Sequence, residues 1–171
     1  MKLNKLYKMQ EELDKHIIEK HNIKMSKEEL LDNTILALLV EVGELANTTR
    51  CFKHWSTKGM MDKEVVLDEL ADCLHFYLSI GNQVGLQCDV EGESFGKRAK
   101  SIEITFHMIY FWITRFRSFT KMKTRNYTKE YDSLGVGLFE LAAKLKFTDE
   151  EVEQAYLKKH EENYKRQREG Y

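Results

Sequence analysis

A chain of 171 residues, 42% of them hydrophobic, is long enough to bury a core and too apolar to be a disordered segment. Its net charge of −1 excludes a bulk electrostatic pull toward nucleic acid or a membrane surface. Three cysteines without C-x-x-C spacing exclude a disulfide or zinc framework and read as reduced thiols of a soluble, cytoplasmic protein.

Proline is absent and no stretch alternates strictly between apolar and polar residues, so the expected fold is all-α, a helical bundle forming a single domain over residues 1–171. The first helix is predicted over about residues 3–21, with Leu3, Leu6, Leu13 and Ile17 along one side. Ser26 and Glu29 form a capping box that opens a second helix reaching about Arg50. Its ILALLV segment (35–40) is apolar all round, as in a helix buried mid-bundle, and is too short to span a bilayer. No signal peptide is visible. A connector, CFKHWSTKGMM (51–61), leads into a third helix over about 62–84, ending near Gly81 and Gly85. QCDVEGESFGKR (87–98) reads as a loop. Residues 99–120 form an aromatic helix (Ile102, Phe106, Ile109, Tyr110, Ile113, Phe116) suited to the core or to a subunit interface. A fifth helix covers about 128–146, and a second capping box, Thr148 with Glu151, opens a last helix reaching Gln167.

Chemistry concentrates in two pairs of carboxylates. Glu41 and Glu44 lie on the second helix, Glu69 and Asp72 on the third, with 24 residues between the pairs. A spacing of three puts each pair on one face, about a turn apart. Glu41 shares its stripe with Ala37, Leu38 and Leu45, and Glu69 with Val65, Val66, Cys73 and Phe76. Ionised groups on apolar stripes need a compensating cation or donor. Facing each other across two antiparallel helices, four oxygen-bearing side chains suit hard divalent cations such as Mg²⁺, and hence chemistry on phosphates. The plainer alternative is a solvated face, because E-x-x-E is common in a chain that is 32% charged.

Other residues admit two readings each. Lys53, His54, Trp55 and Lys58 in the connector suit phosphate oxygens and a base, or form a loop around one aromatic. His75, one turn beyond Asp72, is a ligand, a base contact or a core residue; the lone D-x-x-H argues against a di-iron site. Lys159, Asn163 and Arg166 form a polar stripe on the last helix that is either a solvated basic face or a set of nucleotide contacts.

The chain resembles the dimeric, all-α dUTPases, relatives of the MazG-like nucleotide pyrophosphohydrolases. The resemblance rests on M-Q-E-E-L-D (9–14), E-V-G-E-L-A-N (41–47), F-K-H-W-S (52–56), D-E-L-A-D-C-L-H-F (68–76) and N-Y-K-R-Q-R-E-G-Y (163–171), in the family's order over nearly the whole length. Residues 87–127 match least. It implies that Glu41, Glu44, Glu69 and Asp72 hold two or more Mg²⁺ ions, with Mn²⁺ able to substitute. Glu41 would orient or deprotonate a water that attacks the β-phosphorus of dUTP. The products would be dUMP, which feeds thymidylate synthesis, and pyrophosphate. His75, Phe76, Asn163 and Tyr171 would form the uracil and deoxyribose pocket, with Trp55 alongside and Gln10 a further candidate. Lys58, Lys159 and Arg166 would contact phosphates, with Lys53 in addition. The terminal tyrosine would order when dUTP or dUDP binds. The resemblance also implies a homodimer, with no membrane or nucleic-acid partner, and a regulatory protein partner if the chain is viral. Its competitors are a broader MazG-like pyrophosphohydrolase acting on dCTP or several nucleotides, a repressor-binding regulatory protein, and a structural bundle whose carboxylates pair with lysines.

Overall fold

A computed structural model describes residues 3–88, 99–122 and 127–170. The described residues form helices α1 (Leu3–Lys20), α2 (Lys27–Thr49), α3 (Lys63–Val84), α4 (Ile102–Lys121), α5 (Thr128–Lys144) and α6 (Asp149–Glu169), with no strand among them. All-α is therefore the observed class. The expected loop at 87–98 falls, from residue 89 on, outside the described residues.

Local signals set the helix ends. Ser26 Oγ accepts from the Glu29 amide at 3.2 Å while Glu29 Oε2 accepts from the Ser26 amide at 2.9 Å, closing both halves of the capping box. Thr148 and Glu151 repeat the arrangement at α6. Gly85, with φ of 71°, ends α3 in the left-handed region that glycine enters without strain. Gly81, by contrast, lies inside α3 rather than at its end. A Cβ there would stand 2.1 Å from Tyr131 Oη and 2.6 Å from the Leu86 carbonyl oxygen, so Gly81 is a point of close approach.

α3 is the central helix, packing against α1, α2, α5 and α6, and α4 covers α2 and α5. The core joins Leu6, Leu38, Leu45, Leu74, Leu78, Ile109, Phe116, Leu134 and Leu138 from five of these helices. α2 and α3 run antiparallel: the Met61 amide beside the start of α3 donates to the Thr48 carbonyl near the end of α2, and Gln83 near the end of α3 donates to Thr34 near the start of α2.

Two expectations change. ILALLV is not buried all round, because Leu36 and Val40 are 60% and 50% exposed while Ile35 and Leu38 are closed off. α3 and α4 cover only part of the α2 surface. On α4, Phe106, Ile109, Ile113 and Phe116 face the core, whereas Ile104, Met108 and Phe111 point outward. The aromatic helix is thus a core element with an apolar outer side. No helix of the described residues is long and apolar enough to cross a membrane.

Candidate active site

The antiparallel packing of α2 on α3 brings the two carboxylate pairs together. One oxygen each from Glu41, Glu69 and Asp72 lie within 4.8 Å of one another. Glu44 is exposed and contributes no oxygen to that group, although its charge is felt by Glu41 and Glu69. Burial, followed by the charges of Asp72, Glu44 and Glu69, pushes the Glu41 carboxyl up to about 7. Glu69 and Asp72 are also raised, chiefly by burial. Three crowded, partly desolvated carboxyls that resist ionising together are a donor set that a hard divalent cation would relieve, so these residues fit such an ion.

Lys159 stands at the edge of this cluster. Almost wholly buried, its Nζ lies 2.6 Å from Asp68 Oδ2 and 2.7 Å from Asp72 Oδ2. Burial disfavours the charged amine, but the two aspartates outweigh it and raise its pKa. The residue read from sequence as a phosphate contact is therefore engaged with carboxylates. Asp68 carries no sequence signal of its own beyond adjoining the second pair.

Glu41 and Asp72 also line one end of a cavity of about 380 Å³, whose wall continues over His75 and Phe76 of α3, Gln10 and Asp14 of α1, and Asn163, Arg166 and Gln167 of α6. That volume is in the range of small-molecule sites. The far end is lined by Ile17, Ile18, Ile23 and Leu30, with Thr34 and Gln83. His21 and Gln167, joined by a 2.6 Å hydrogen bond, tie the end of α1 to the end of α6.

His75 is a buried wall residue. Its ring stacks on Tyr156 with centroids 4.2 Å apart, and its Nδ1 lies 2.6 Å from Gln10 Oε1. Burial holds the imidazole pKa down to about 3, so the ring is neutral, and Nε2 has no hydrogen-bond partner. Asp14 is raised by burial and restrained by hydrogen bonds with Ser79 and Gln10. Arg166 Nη2 donates to Glu162 Oε1 at 2.6 Å.

Six of the residues singled out from sequence for substrate contact thus meet around this space: Gln10, His75, Phe76, Asn163 and Arg166 in the cavity wall, and Lys159 at the carboxylates. The connector residues do not join them. Trp55 is 68% exposed, packed edge-on to His54, and Lys58 is exposed beside it. Lys53 Nζ donates to Asn47 Oδ1. Tyr171 lies outside the described residues. Sequence reasoning missed Asp14, Ser79, Gln83 and Tyr156. Of these, only Asp14 fell within a quoted motif, and their roles depend on contacts between helices. The family model described as dUTPase matches residues 2–171. No curated protein matches the chain.

Proposed function

The chain belongs to the dUTPase family, and from that premise we propose that it is a Mg²⁺-dependent dUTP diphosphatase, converting dUTP to dUMP and pyrophosphate. One observation carries the reading: two of the three clustered carboxylates, Glu41 and Asp72, line a cavity whose wall also carries Gln10, His75, Phe76, Asn163 and Arg166 beside an apolar stretch. Such a cavity separates a place for phosphates from a place for a base. Glu41, Glu69 and Asp72 would hold divalent cations, with Glu44 close enough to complete the set. Bound there, such ions neutralise charge on the triphosphate and acidify water.

The chain's own residues supply the rest. Glu41, which belongs to the cluster and also lines the cavity, would orient or deprotonate the attacking water. Arg166 and Asn163, on the cavity-facing side of α6, suit phosphate and sugar or base contacts. Lys159 holds Asp72 in place and offsets its charge. Phe76 offers a flat face to the nucleoside. The outward apolar residues of α2 and α4, Leu36, Val40 and Phe111, support a homodimer.

The experiment is pyrophosphate release from dUTP, dCTP, dTTP and UTP, with Mg²⁺ and with chelator. Metal-dependent release confined to dUTP is expected. Equal release from all four would replace this reading with a general nucleotide pyrophosphohydrolase, and none from any would remove the enzymatic reading.

A further inference from the structure

α1 ends in a reversal whose backbone is closed by two bonds. The Asn22 amide donates to the Glu19 carbonyl at 3.2 Å and the Ile23 amide to the Ile18 carbonyl at 3.1 Å, with Asn22 in the left-handed region at φ 47°. This Schellman arrangement stops a helix at a fixed residue, and asparagine tolerates the conformation better than most side chains. The backbone of His21, the residue before the reversal, is fixed by it, and Ile23 folds back to line the apolar end of the cavity with Ile17 and Ile18. From this anchor the His21 ring reaches α6, where its Nε2 lies 2.6 Å from Gln167 Oε1. The pair is a hydrogen bond whichever way the amide is turned: the ring donates to its oxygen or, with the amide reversed, accepts from its NH₂.

On α6, Asn163, Arg166 and Gln167 stand at i, i+3 and i+4 on one face, and all three line the cavity. Gln167 is only 8% exposed, although α6 ends two residues later at Glu169. A last turn ordinarily frays, because its carbonyls lack partners within the helix. Earlier along the seam, His160 Nε2 lies 3.1 Å from the Met9 carbonyl and the Tyr164 ring meets that of His16 at 5.3 Å, so the middle of α6 stays on α1 without His21. We propose that His21 is a positioning residue: its bond to Gln167 pins the last turn of α6 and so holds Arg166 and Asn163 in the cavity wall before a ligand arrives. The pinning rests on geometry alone; its effect on a nucleotide rests on the function proposed above. His21 lies outside both the carboxylate group and the cavity lining, so it acts on binding and not on the chemical step. Without it, the ligand must order that turn as it binds, and affinity falls.

The test compares His21→Leu, which removes the bond, with His21→Gln, whose amide can restore it. The first measurement is hydrogen exchange in the ligand-free, full-length protein, which reads the latch whatever the protein's activity. The amides of residues 166–169 should exchange about fivefold faster in His21→Leu, while those before Tyr164 keep their protection. His21→Gln should recover most of the loss. Added to Gln167→Leu, His21→Leu should speed exchange no further, because the bond is already gone. The second measurement is the affinity for the non-hydrolysable α,β-imido analogue of dUTP with Mg²⁺, by calorimetry, alongside kcat and KM for dUTP. In His21→Leu the affinity should weaken and KM rise by about fivefold, with kcat within about twofold of the wild type, and His21→Gln should restore both. Unchanged exchange at residues 166–169 in His21→Leu would overturn the latch. Faster exchange with the analogue bound as tightly as by the wild type would overturn its role in binding. A wild type that neither binds the analogue nor turns over dUTP would instead refute the nucleotide reading of the cavity, and the pinning would stand or fall on exchange alone.

Discussion

Two hydrogen-bonded side-chain networks start one turn apart on α1 and finish differently. In the first, the Cys88 amide donates to Tyr7 Oη at 3.1 Å, Tyr7 pairs with Tyr131 Oη at 2.8 Å, and Tyr131 donates to the Tyr77 carbonyl at 3.0 Å. Since the Tyr131 proton is committed to that carbonyl, the Tyr7 proton must point to Tyr131, and the chain closes on backbone with those hydroxyls used. In the second, Tyr156 and His75 converge on Gln10, and the series ends in an unpartnered nitrogen and a spare N–H. Both use α1, α3 and a later helix, and both stack aromatic rings, Tyr77 on Tyr131 at 4.6 Å and His75 on Tyr156 at 4.2 Å. The first commits the Tyr7 and Tyr131 hydroxyls to each other and to backbone, with Tyr77 Oη left unpartnered beside them, and it serves folding. The second stores polar capacity at a cavity, which is costly for stability and useful for binding.

If that contrast is right, substitutions near the open network should cost activity, and those in the closed one should cost stability. The largest effect is expected for Glu41→Gln: kcat for dUTP should fall by at least about 10²-fold, while the metal-free protein melts at a higher temperature at neutral pH, since one of several crowded carboxyls is gone. A fall in both would mean that the carboxylate cluster is structural. Next comes Gly81→Ala. Its new Cβ would collide with Tyr131 Oη and with backbone at Leu86, which cannot retreat as a flexible side chain can. A loss of about 3 kcal/mol or more is expected in denaturant unfolding, with kcat of the protein that remains folded unchanged. Smaller again is Tyr131→Phe, which removes the acceptor of the Tyr7 hydroxyl proton, while the Tyr77 carbonyl keeps its partner within α3. About 1–3 kcal/mol should be lost, again without a change in the preference for dUTP over dCTP. A changed preference would show that the two networks are coupled through α1.

The same contrast explains what could be read in the chain before its structure. Capping boxes, the glycine at 85 and the carboxylate spacing are local: each lies within a few residues, so sequence alone places Ser26, Thr148 and the α2–α3 pairs. Gln10 and His75 were visible through motifs, but their hydrogen bond joins residues 65 apart. The tyrosine chain spans α1, α3 and α5, and nothing at Tyr7 or Tyr131 distinguishes it from ordinary core aromatics. The outward side of α2 was misread for a related reason. Leu36 and Val40 sit in an unbroken apolar run, and periodicity has no means of saying which sides of such a run neighbours leave uncovered.

The smallest expected effect is a pH dependence of stability, and it separates Glu41 from His75 because the two titrate with opposite sign. Glu41 is raised from its ordinary 4.5 to about 7, so between those values the native state holds more protons than the unfolded chain. Stability from this group is complete below 4.5 and is lost as pH rises through about 7. Burial raises Glu69, Asp72 and Asp14 too, and they act in the same direction. His75 is lowered from 6.5 to about 3, so there the unfolded chain holds more protons; its contribution is complete above 6.5 and is lost as pH falls toward 3. Between 4.5 and 6.5 His75 opposes Glu41 and so blunts the change in the metal-free melting temperature. From 6.5 to about 7 only the carboxylate loss remains, and the melting temperature should decline. The difference between Glu41→Gln and wild type should therefore widen from pH 5 to pH 8, and Mg²⁺ added to the wild type should narrow it by compensating the ionised cluster. A difference that is the same at both pH values would show that Glu41 ionises normally in the metal-free folded chain.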